Sequence, residues 1–333
     1  MAHDRQIILF HYPFSPYARR IIWYLNLRNI PYLQCIQPLM LPRPDTRAIG
    51  TVYRRIPILA IGRDIYNDTR LILAKLDVFF PPCAAHPSLA PPPAAQPLVK
   101  LLEHWAVDSG LFNRAAQLIP ADLPFSMDTK LQEDRREFSG GRWVSMERIR
   151  PEALVDVRGA FEFLEGRLLG DGRAWLVEGK GPSMAEIEGI WPFHWLTTLP
   201  GALPAGYICP QTFPKTFAWI KRFDVAFKVA AKKAGKPKSL KGDEALKQIN
   251  NSEFAEEEGV VDTQDPTELK KRQEIEVWPI DTGFSHKDRG PLIALSSSEI
   301  VIESRTKDGV VVRVHTPRHG FRLRGVNSAS AKI

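Results

Sequence analysis

The chain contains little cysteine. Its 333 residues include three, Cys35, Cys83 and Cys209, which are far apart and form no Cys-x-x-Cys pair. An odd and widely spaced set of this kind excludes a disulfide framework and the ligand spacing of a cysteine-based zinc site. Because free thiols persist in reducing compartments, we expect the protein to be cytoplasmic.

Long apolar runs are also absent. No stretch approaches the roughly 20 consecutive apolar residues that a membrane-spanning helix needs, so no membrane partner is expected. The first six residues lead directly into a strand-like run, and no signal peptide is predicted. The glycines at 170–172 and 179–181 match neither a phosphate-binding loop nor a dinucleotide fingerprint.

The charge balance is positive. Lysine and arginine total 45 against 38 acidic residues, a formal net charge of +7. An anionic partner would explain this excess, but a soluble surface explains it more simply. Near the end of the chain, six basic residues surround Phe321: Arg313, His315, Arg318, His319, Arg322 and Arg324. Such a mixture can contact nucleic acid, but basic residues also protect sheet edges, so nucleic acid is not an expected partner.

Composition divides the chain into five stretches. Residues 5–80 alternate short strand-like and helix-like segments, which predicts a small α/β domain. Residues 81–97 are rich in proline and predict a stiff linker. Residues 98–235 have apolar positions at three- and four-residue steps, which predicts helices. A polar linker carrying one helix is expected over 236–266, and a small all-β module over 267–325.

The pair Ser15-Pro16 follows the first apolar run and precedes a helix-like segment. Serine is a good N-cap and proline is favoured in the first helical turn, so helix initiation is a sufficient explanation of the pair. A hydroxyl in this position can also have a chemical role, because the helix N-terminus carries a partial positive charge.

Two further features follow about forty and fifty residues later. Ile56-Pro57 introduces an apolar run, and proline there marks a sheet edge or a special turn, because it cannot donate to a ladder. Asp68-Thr69 precedes a second helix-like segment and has the pattern of an N-cap. The start of a strand would explain Ile56-Pro57, and the start of a helix would explain Asp68-Thr69. Neither pair then needs a function.

In this order, these features resemble the thioredoxin-like half of the soluble glutathione transferases. The resemblance continues to Ser183 and Glu186, a capping-box pattern like that of the family's buried helix, and to residues 213–220, similar to one of its late helices. It covers residues 5–230 through four separated motifs. The implied fold is an α/β thioredoxin-like domain, then an all-α helical domain, with a small all-β C-terminal module as an addition.

By this resemblance, the ligand is glutathione, which acts as a co-substrate. Ser15 would donate a hydrogen bond to its sulfur and stabilise the thiolate, which is the nucleophile. Some classes of the family have cysteine here. Serine cannot form a mixed disulfide, which favours addition to an electrophile over thiol-disulfide exchange. Ile56, before a proline that is cis in the family, would pair through its main chain with the cysteinyl unit.

The resemblance assigns the two ends of glutathione as well. Asp68 would bind the γ-glutamyl amino group, while Thr69 and the helix N-terminus would bind its α-carboxylate. The family more often has serine where Thr69 stands. Arg55, or its neighbour Arg54, would reach the glycyl carboxylate, although the loop 39–53 departs from the usual family sequence.

The resemblance also implies a second substrate, a hydrophobic electrophilic small molecule bound between the two halves. Four aromatic residues are candidates for its pocket, although each also fits a core: Tyr12, Phe14, Trp105 and Phe112. A homodimer is implied too. No metal is expected, because His104 and Asp108 lie one helical turn apart but have no evident third ligand.

Two functions remain open. The first is a glutathione transferase that adds the thiolate to an electrophile, either in general detoxification or on one particular metabolite. The second is a non-catalytic protein of the same fold, as in a translation elongation factor subunit, which contacts partners through its C-terminal β module. The set Ser15, Pro57, Asp68 and Thr69 favours ligand binding.

Overall fold

The computed structural model describes residues 6–123, 126–141 and 146–326, so residue 5 of the predicted α/β domain lies outside it. The first part alternates strands and helices: β1 (Ile7–His11), α1 (Pro16–Leu27), β2 (Leu33–Ile36), α2 (Pro44–Ala48), β3 (Ile58–Ile61), β4 (Asp64–Asn67) and α3 (Thr69–Phe79). Strand β1 is parallel to β2 and antiparallel to β3, and β4 is antiparallel to β3. This is the predicted thioredoxin-like domain.

The middle of the chain is helical, as predicted. Its helices are α4 (Gln96–Val107), α5 (Leu111–Ala116), α6 (Thr129–Phe138), α7 (Met146–Phe163), α8 (Met184–Thr197) and α9 (Pro214–Ala234). Helix α8 is buried along most of its length and begins at the predicted capping box. Ser183 Oγ accepts from Ala185 N at 3.1 Å, and Glu186 Oε2 accepts from Ser183 N at 2.7 Å. No helix in the described ranges is long and apolar enough to cross a membrane.

One hydrophobic core joins the α/β domain to the helices. Trp23 of α1 packs edge-on against Phe223 of α9, with 4.8 Å between ring centroids. Tyr17 of α1 packs against Trp191 of α8 at 4.7 Å. Because α1 contacts both the sheet and the helical part, its N-terminus has a fixed position relative to both.

The segment predicted as a polar linker, residues 236–266, contains regular structure. It includes a short strand, β5 (Lys238–Ser239), which pairs in parallel with β2, and a helix, α10 (Gly242–Asn250). Leu246 and Ile249 of α10 are buried. One helix was expected in this segment, but a two-residue strand has no pattern of its own.

The C-terminal module is all-β, as predicted, and is continuous with the α/β domain. Its strands are β6 (Glu274–Pro279), β7 (Asp288–Leu295), β8 (Glu299–Arg305), β9 (Val311–Pro317) and β10 (Phe321–Gly325). Strand β9 pairs in parallel with β4, so the described strands form one sheet in the order β10-β6-β7-β8-β9-β4-β3-β1-β2-β5. Residues 5–80 and 267–325, which were predicted as separate domains, therefore contribute strands to one sheet.

The position of β9 corrects the interpretation of the basic residues. A solvated edge strand was predicted, but β9 lies inside the sheet and His315 is buried. His315 Nε2 lies 2.9 Å from Asp64 Oδ1, and its Nδ1 lies 2.7 Å from Glu299 Oε1. Burial lowers the pKa of His315, but the two carboxylates outweigh it and the pKa is raised. Strand β10, at the end of the sheet, has the predicted edge character, with Arg322 exposed.

The five strands of the module curl. Three residues join β9 to β10, although β8, β7 and β6 lie between them in the sheet order. A flat sheet would separate the two strands by about 19 Å at about 4.8 Å per strand, whereas the connection spans at most about 14 Å. The bend brings Phe321 of β10 within 5.9 Å of Tyr53, measured between ring centroids. The module therefore reaches the end of the strands where the predicted site lies.

Candidate active site

The predicted glutathione-binding residues lie at one end of the strands, where β1 and β4 end and β3 begins. Ile58, the first residue of β3, pairs with Phe10 near the end of β1 and with Asn67 at the end of β4. Strands β1 and β4 run in the same direction, so α1 and α3, which follow them, both begin at this end. Two helix N-termini close together favour an anionic ligand.

Ser15 is the N-cap of α1. Its Oγ accepts a hydrogen bond from Ala18 N at 3.1 Å, and the residue is 2% exposed. That bond uses an oxygen lone pair and not the hydroxyl proton, so the hydroxyl can still donate to an acceptor beyond the helix end. Ser15 therefore begins the helix and also provides a donor at its N-terminus.

The peptide bond between Ile56 and Pro57 is cis, as the resemblance implied. Within the described part of the chain, neither the N–H nor the carbonyl oxygen of Ile56 forms a hydrogen bond. An extended ligand can therefore pair with this backbone in the way that a strand adds to a sheet.

Asp68 and Thr69 begin α3. Asp68 is its N-cap, has a φ of 70°, and accepts from Arg70 N through Oδ1 at 3.0 Å. Thr69 Oγ1 accepts from Arg20 at 2.6 Å, and the same guanidinium forms a buried ion pair with Glu188 of α8. Thr69 thus has a structural partner, and Arg20 connects the three helices α1, α3 and α8.

Arg55, which the resemblance assigned to the glycyl carboxylate, is held by the C-terminal module. It forms an ion pair with Asp281 and donates to the Thr282 carbonyl oxygen at 2.7 Å. Both partners belong to the loop between β6 and β7, in the C-terminal module. A glycyl carboxylate that approached this guanidinium would compete with Asp281 for it.

Arg54, the alternative for that carboxylate, is also engaged. It pairs with Asp134 of α6 at 2.9 Å and with Glu137 of the same helix. Helix α6 contacts the β6–β7 loop in turn, since Gly283 N donates to Phe138 O at 2.8 Å. Helix α6 and residues 280–287 thus bind the side chains of both arginines. We call these two segments the cover.

Two tyrosines that the sequence did not single out lie among the same charges. The pKa values of Tyr17 and Tyr53 are raised, chiefly by burial and further by the carboxylates of Asp68 and Asp281, while Arg55 opposes the shift. Both phenols therefore stay protonated at neutral pH and can donate hydrogen bonds. Neither tyrosine belongs to a local motif that could have indicated it.

A buried carboxylate of the module supports the start of α3. Asp288, the first residue of β7, accepts from Val52 N at 2.6 Å, from Thr51 Oγ1 at 2.9 Å and from Asn67 Nδ2 at 3.3 Å. Burial raises its pKa to about 6, although these hydrogen bonds oppose the shift. Asn67 directly precedes Asp68, so the module helps to position the predicted site.

The aromatic residues predicted for the electrophile pocket have different surroundings. Phe14 is 74% exposed. Tyr12 lies beside Arg43, whose guanidinium carbon is 5.8 Å from the centroid of its ring. Phe112 packs edge-on against Tyr17 at 4.9 Å between centroids, which places it against α1.

Trp105 lines a separate cavity of about 470 Å³, together with Arg114, Asp156 and Phe163. The walls of this cavity do not include the other three predicted aromatic residues. The four side chains therefore do not share this cavity, and the position of an electrophile stays a prediction.

Comparison with known proteins supports the fold. Residues 9–82 match the family model described as glutathione S-transferase, N-terminal domain, and residues 114–232 match a domain of unknown function (DUF7962). A GST-like protein from Pseudomonas syringae is 24% identical with a TM-score of 0.66, over 96% of this chain and 99% of that one. The beta-etherase LigF from Sphingobium sp. strain SYK-6 is 14% identical with a TM-score of 0.52, over 68% and 99%. No curated protein matches the chain.

These matches show the fold of the chain. Residues 9–82 match the glutathione S-transferase N-terminal domain model, and the chain has the glutathione transferase fold, with a β-sheet module added at the C-terminal end. Because the match to the Pseudomonas syringae protein spans 96% of the chain, that structure extends over the module as well.

Proposed function

We propose that the protein is a glutathione transferase that adds the glutathione thiolate to an electrophilic small molecule. One observation carries this proposal: three features meet at one end of the strands. They are the Ser15 hydroxyl at the start of α1, the Ile56 backbone, which forms no hydrogen bond among the described residues, and the Asp68 carboxylate at the start of α3. The matched N-terminal domain supports glutathione as the ligand.

In the proposed reaction, the glutathione thiol gives its proton to solvent and the thiolate sulfur forms a bond to an electrophilic carbon of a multiple bond. The electron pair of that multiple bond moves to the far end of the electrophile, which takes up a proton from solvent. Ser15 donates a hydrogen bond to the sulfur, and the N-terminus of α1 adds positive potential. Both lower the pKa of the thiol and so increase the thiolate fraction. Asp68 and Thr69 hold the γ-glutamyl end, and Ile56 pairs with the cysteinyl unit.

Calorimetric titration with reduced glutathione tests this site. The wild-type protein should saturate at millimolar glutathione or below. Asp68→Asn should bind about 10- to 100-fold more weakly, because a hydrogen bond to a charged group contributes about 1.5–3 kcal/mol. Asparagine is itself a good N-cap and tolerates positive φ, so the free variant should unfold at nearly the wild-type temperature. Failure of the wild-type protein to saturate would contradict the proposal.

The proposal includes the second substrate and the setting of the enzyme. Phe112 against α1 and the exposed Phe14 support a hydrophobic electrophile beside Ser15, as in detoxification. The three cysteines support a cytoplasmic location. A homodimer follows from the family resemblance, and sedimentation equilibrium of the purified protein tests it.

The observed cover favours a second candidate, a non-catalytic binding or assembly protein. Asp281 and Thr282 occupy Arg55, and Ser15 is almost fully buried. A protein of this kind would show no glutathione-dependent turnover with any electrophile and would contact its partner through the C-terminal module. Saturable glutathione binding together with turnover that depends on Ser15 would decide for the enzyme.

A further inference from the structure

Two histidines and an aspartate meet where the C-terminal module contacts helix α4. His104 and Asp108 lie on α4 and its C-terminal end, and His319 lies in the turn between β9 and β10. Asp108 Oδ2 is 2.6 Å from His104 Nδ1 and 3.2 Å from His319 Nε2. The two imidazole rings are nearly perpendicular, at 86°, with 5.6 Å between centroids. The turn thus supplies the third ligand that the sequence did not reveal.

The three ligand atoms have the types and spacing of a zinc site. All lie within 4.8 Å of one another. Ligands at about 2.0–2.2 Å from a tetrahedral zinc ion lie roughly 3.3–3.6 Å apart. His104 Nδ1 and Asp108 Oδ2, now 2.6 Å apart, would separate by about 1 Å to hold the ion. Imidazole nitrogen and carboxylate oxygen are both ordinary zinc ligands. A fourth position would remain for water.

The two carboxylate oxygens of Asp108 have different neighbours: Oδ1 pairs with an arginine, and Oδ2 lies next to the two histidines. Arg70 pairs with Asp108 through Oδ1 and with Glu103 through its Nε at 2.8 Å. The guanidinium therefore fixes the aspartate while Oδ2 faces the imidazoles. The side chains of His104, Asp108 and His319 are 43%, 33% and 58% exposed, so an ion has access from solvent.

A second cluster of residues that can bind metal differs because protein cations already occupy it. It consists of Glu256, Glu299 and His315. The Lys75 ammonium lies 2.7 Å from a Glu256 oxygen and 2.8 Å from a Glu299 oxygen. His315 Nε2 is also occupied by Asp64. This cluster already contains its own cations, so a metal ion would have to displace a lysine.

We propose that His104, Asp108 and His319 bind a zinc ion, which fastens the β9–β10 turn of the C-terminal module to helix α4 of the helical part. The site is independent of the proposed transferase function, because it uses none of the glutathione-binding residues. Zinc here connects two parts of the chain that are 211 positions apart in sequence at Asp108 and His319.

Zinc titration of the untagged, metal-free full chain against a chromogenic chelator tests the site. We expect one zinc ion per chain to bind with micromolar or tighter affinity. His104→Ala and His319→Ala should each weaken that affinity at least about tenfold, since even indirect changes at metal sites cost about 10–100-fold. His86→Ala removes a histidine outside the cluster and should bind zinc as the wild type does.

A second measurement separates this site from adventitious surface binding. Zinc should raise the unfolding temperature of the wild-type protein and slow hydrogen exchange in residues 317–321, because ligand binding stabilises the folded state. Neither effect should occur in His319→Ala, which changes an exposed side chain and should fold. Equal zinc affinity in the wild type and His319→Ala, or binding of the wild type only at millimolar zinc, would overturn the proposal.

Discussion

At the scale of single residues, Ser15 has an observed structural role as an N-cap and a proposed chemical role, and substitution can separate the two. Ser15→Ala should reduce transferase turnover about 10- to 100-fold, since a hydrogen bond to a charged group contributes about 1.5–3 kcal/mol. Glutathione affinity should stay nearly unchanged, because the two ends of the ligand are bound elsewhere. Steady-state kinetics with several electrophiles, and a pH titration of the bound thiol by ultraviolet absorbance, measure both effects.

Ser183→Ala is the matched control for this substitution. Ser183 is also a buried N-cap, and its Oγ accepts from Ala185 N at 3.1 Å. Loss of the Ser15 cap should reduce the free energy of unfolding by about 1 kcal/mol. Ser183→Ala should cost more, because Ser183 Oγ also donates to the buried Glu186 carboxylate at 2.7 Å. Only the Ser15 variant should lose turnover. Full activity of Ser15→Ala would show that Ser15 does not stabilise the thiolate.

Asp288 should give the stability of the protein a pH dependence. Its pKa is about 6 in the folded protein because it is buried, against 3.8 ordinarily. The folded state therefore binds the proton first, so the contribution of this group is fully present below about pH 4 and is lost as pH rises through about 6. The difference between these two pKa values corresponds to about 3 kcal/mol in the free energy of unfolding, at 1.36 kcal/mol per pKa unit.

Asp288→Asn tests this dependence. Its amide stays neutral at every pH, so the free energy of unfolding should fall less between pH 4 and 7 than in the wild type. The new amide N–H can donate to Asn67 Oδ1, which has no partner among the described residues. Urea unfolding across this pH range gives the comparison. Parallel curves for the two proteins would show that Asp288 is ionised throughout.

Single residues could be predicted from the sequence where a local pattern marks them. Ser15 and Asp68 were predicted as N-caps and are N-caps. The partners of Arg55 and Asn67 could not be predicted, because Asp281 and Asp288 lie more than 200 positions away and no periodic pattern connects them. The functional roles of these residues stay predictions until ligand binding is measured.

At the scale of elements, the cover contacts two arginines beside the predicted site, Arg54 and Arg55. Arg55 and Asp281 are joined by an ion pair whose side chains are 20% and 64% exposed. An exposed pair of this kind contributes about 1 kcal/mol or less. Asp281→Ala should therefore release Arg55 for the glycyl carboxylate and strengthen glutathione binding up to about fivefold.

Asp308→Ala provides the control for this change. Asp308 is an exposed aspartate of the same module, and it accepts from Asn250 Nδ2 at 2.8 Å. It does not contact the cover, so calorimetry should give the wild-type affinity. Weaker glutathione binding by Asp281→Ala would mean instead that the Asp281 carboxylate itself binds the ligand.

Helices were easier to predict than strand partners. The apolar spacing of residues 98–235 and the capping box at Ser183 are local signals, and both correspond to observed helices. Strand β9 had a recognisable alternating pattern, but a strand pattern does not specify its neighbour. The basic residues therefore suggested an edge where the structure has a buried pairing with β4.

At the scale of the whole molecule, the C-terminal module should be essential for folding. Val312 and Val314 of β9 lie in the same buried cluster as Ile58 and Ile65 of the α/β domain. Each fully buried side chain of this size contributes about 1.5–3 kcal/mol, while a typical domain has 5–15 kcal/mol in total. A chain that ends at Pro266 should therefore lose cooperative unfolding and aggregate.

Circular dichroism during heating and size-exclusion chromatography measure this loss. A chain that ends at Val326 retains every described strand and serves as the control. Cooperative unfolding of the shorter chain would show that the α/β and helical parts are stable without the module.

The pairing of β4 with β9 also has a consequence for the order of events during synthesis. Asn67 ends β4 and Val311 begins β9, so 244 positions separate them in the chain. At about 5–20 residues per second, the ribosome needs roughly 12–50 seconds to make that distance. For this period the nascent α/β domain has a strand edge without its neighbour, and a chaperone that recognises such edges would find it then.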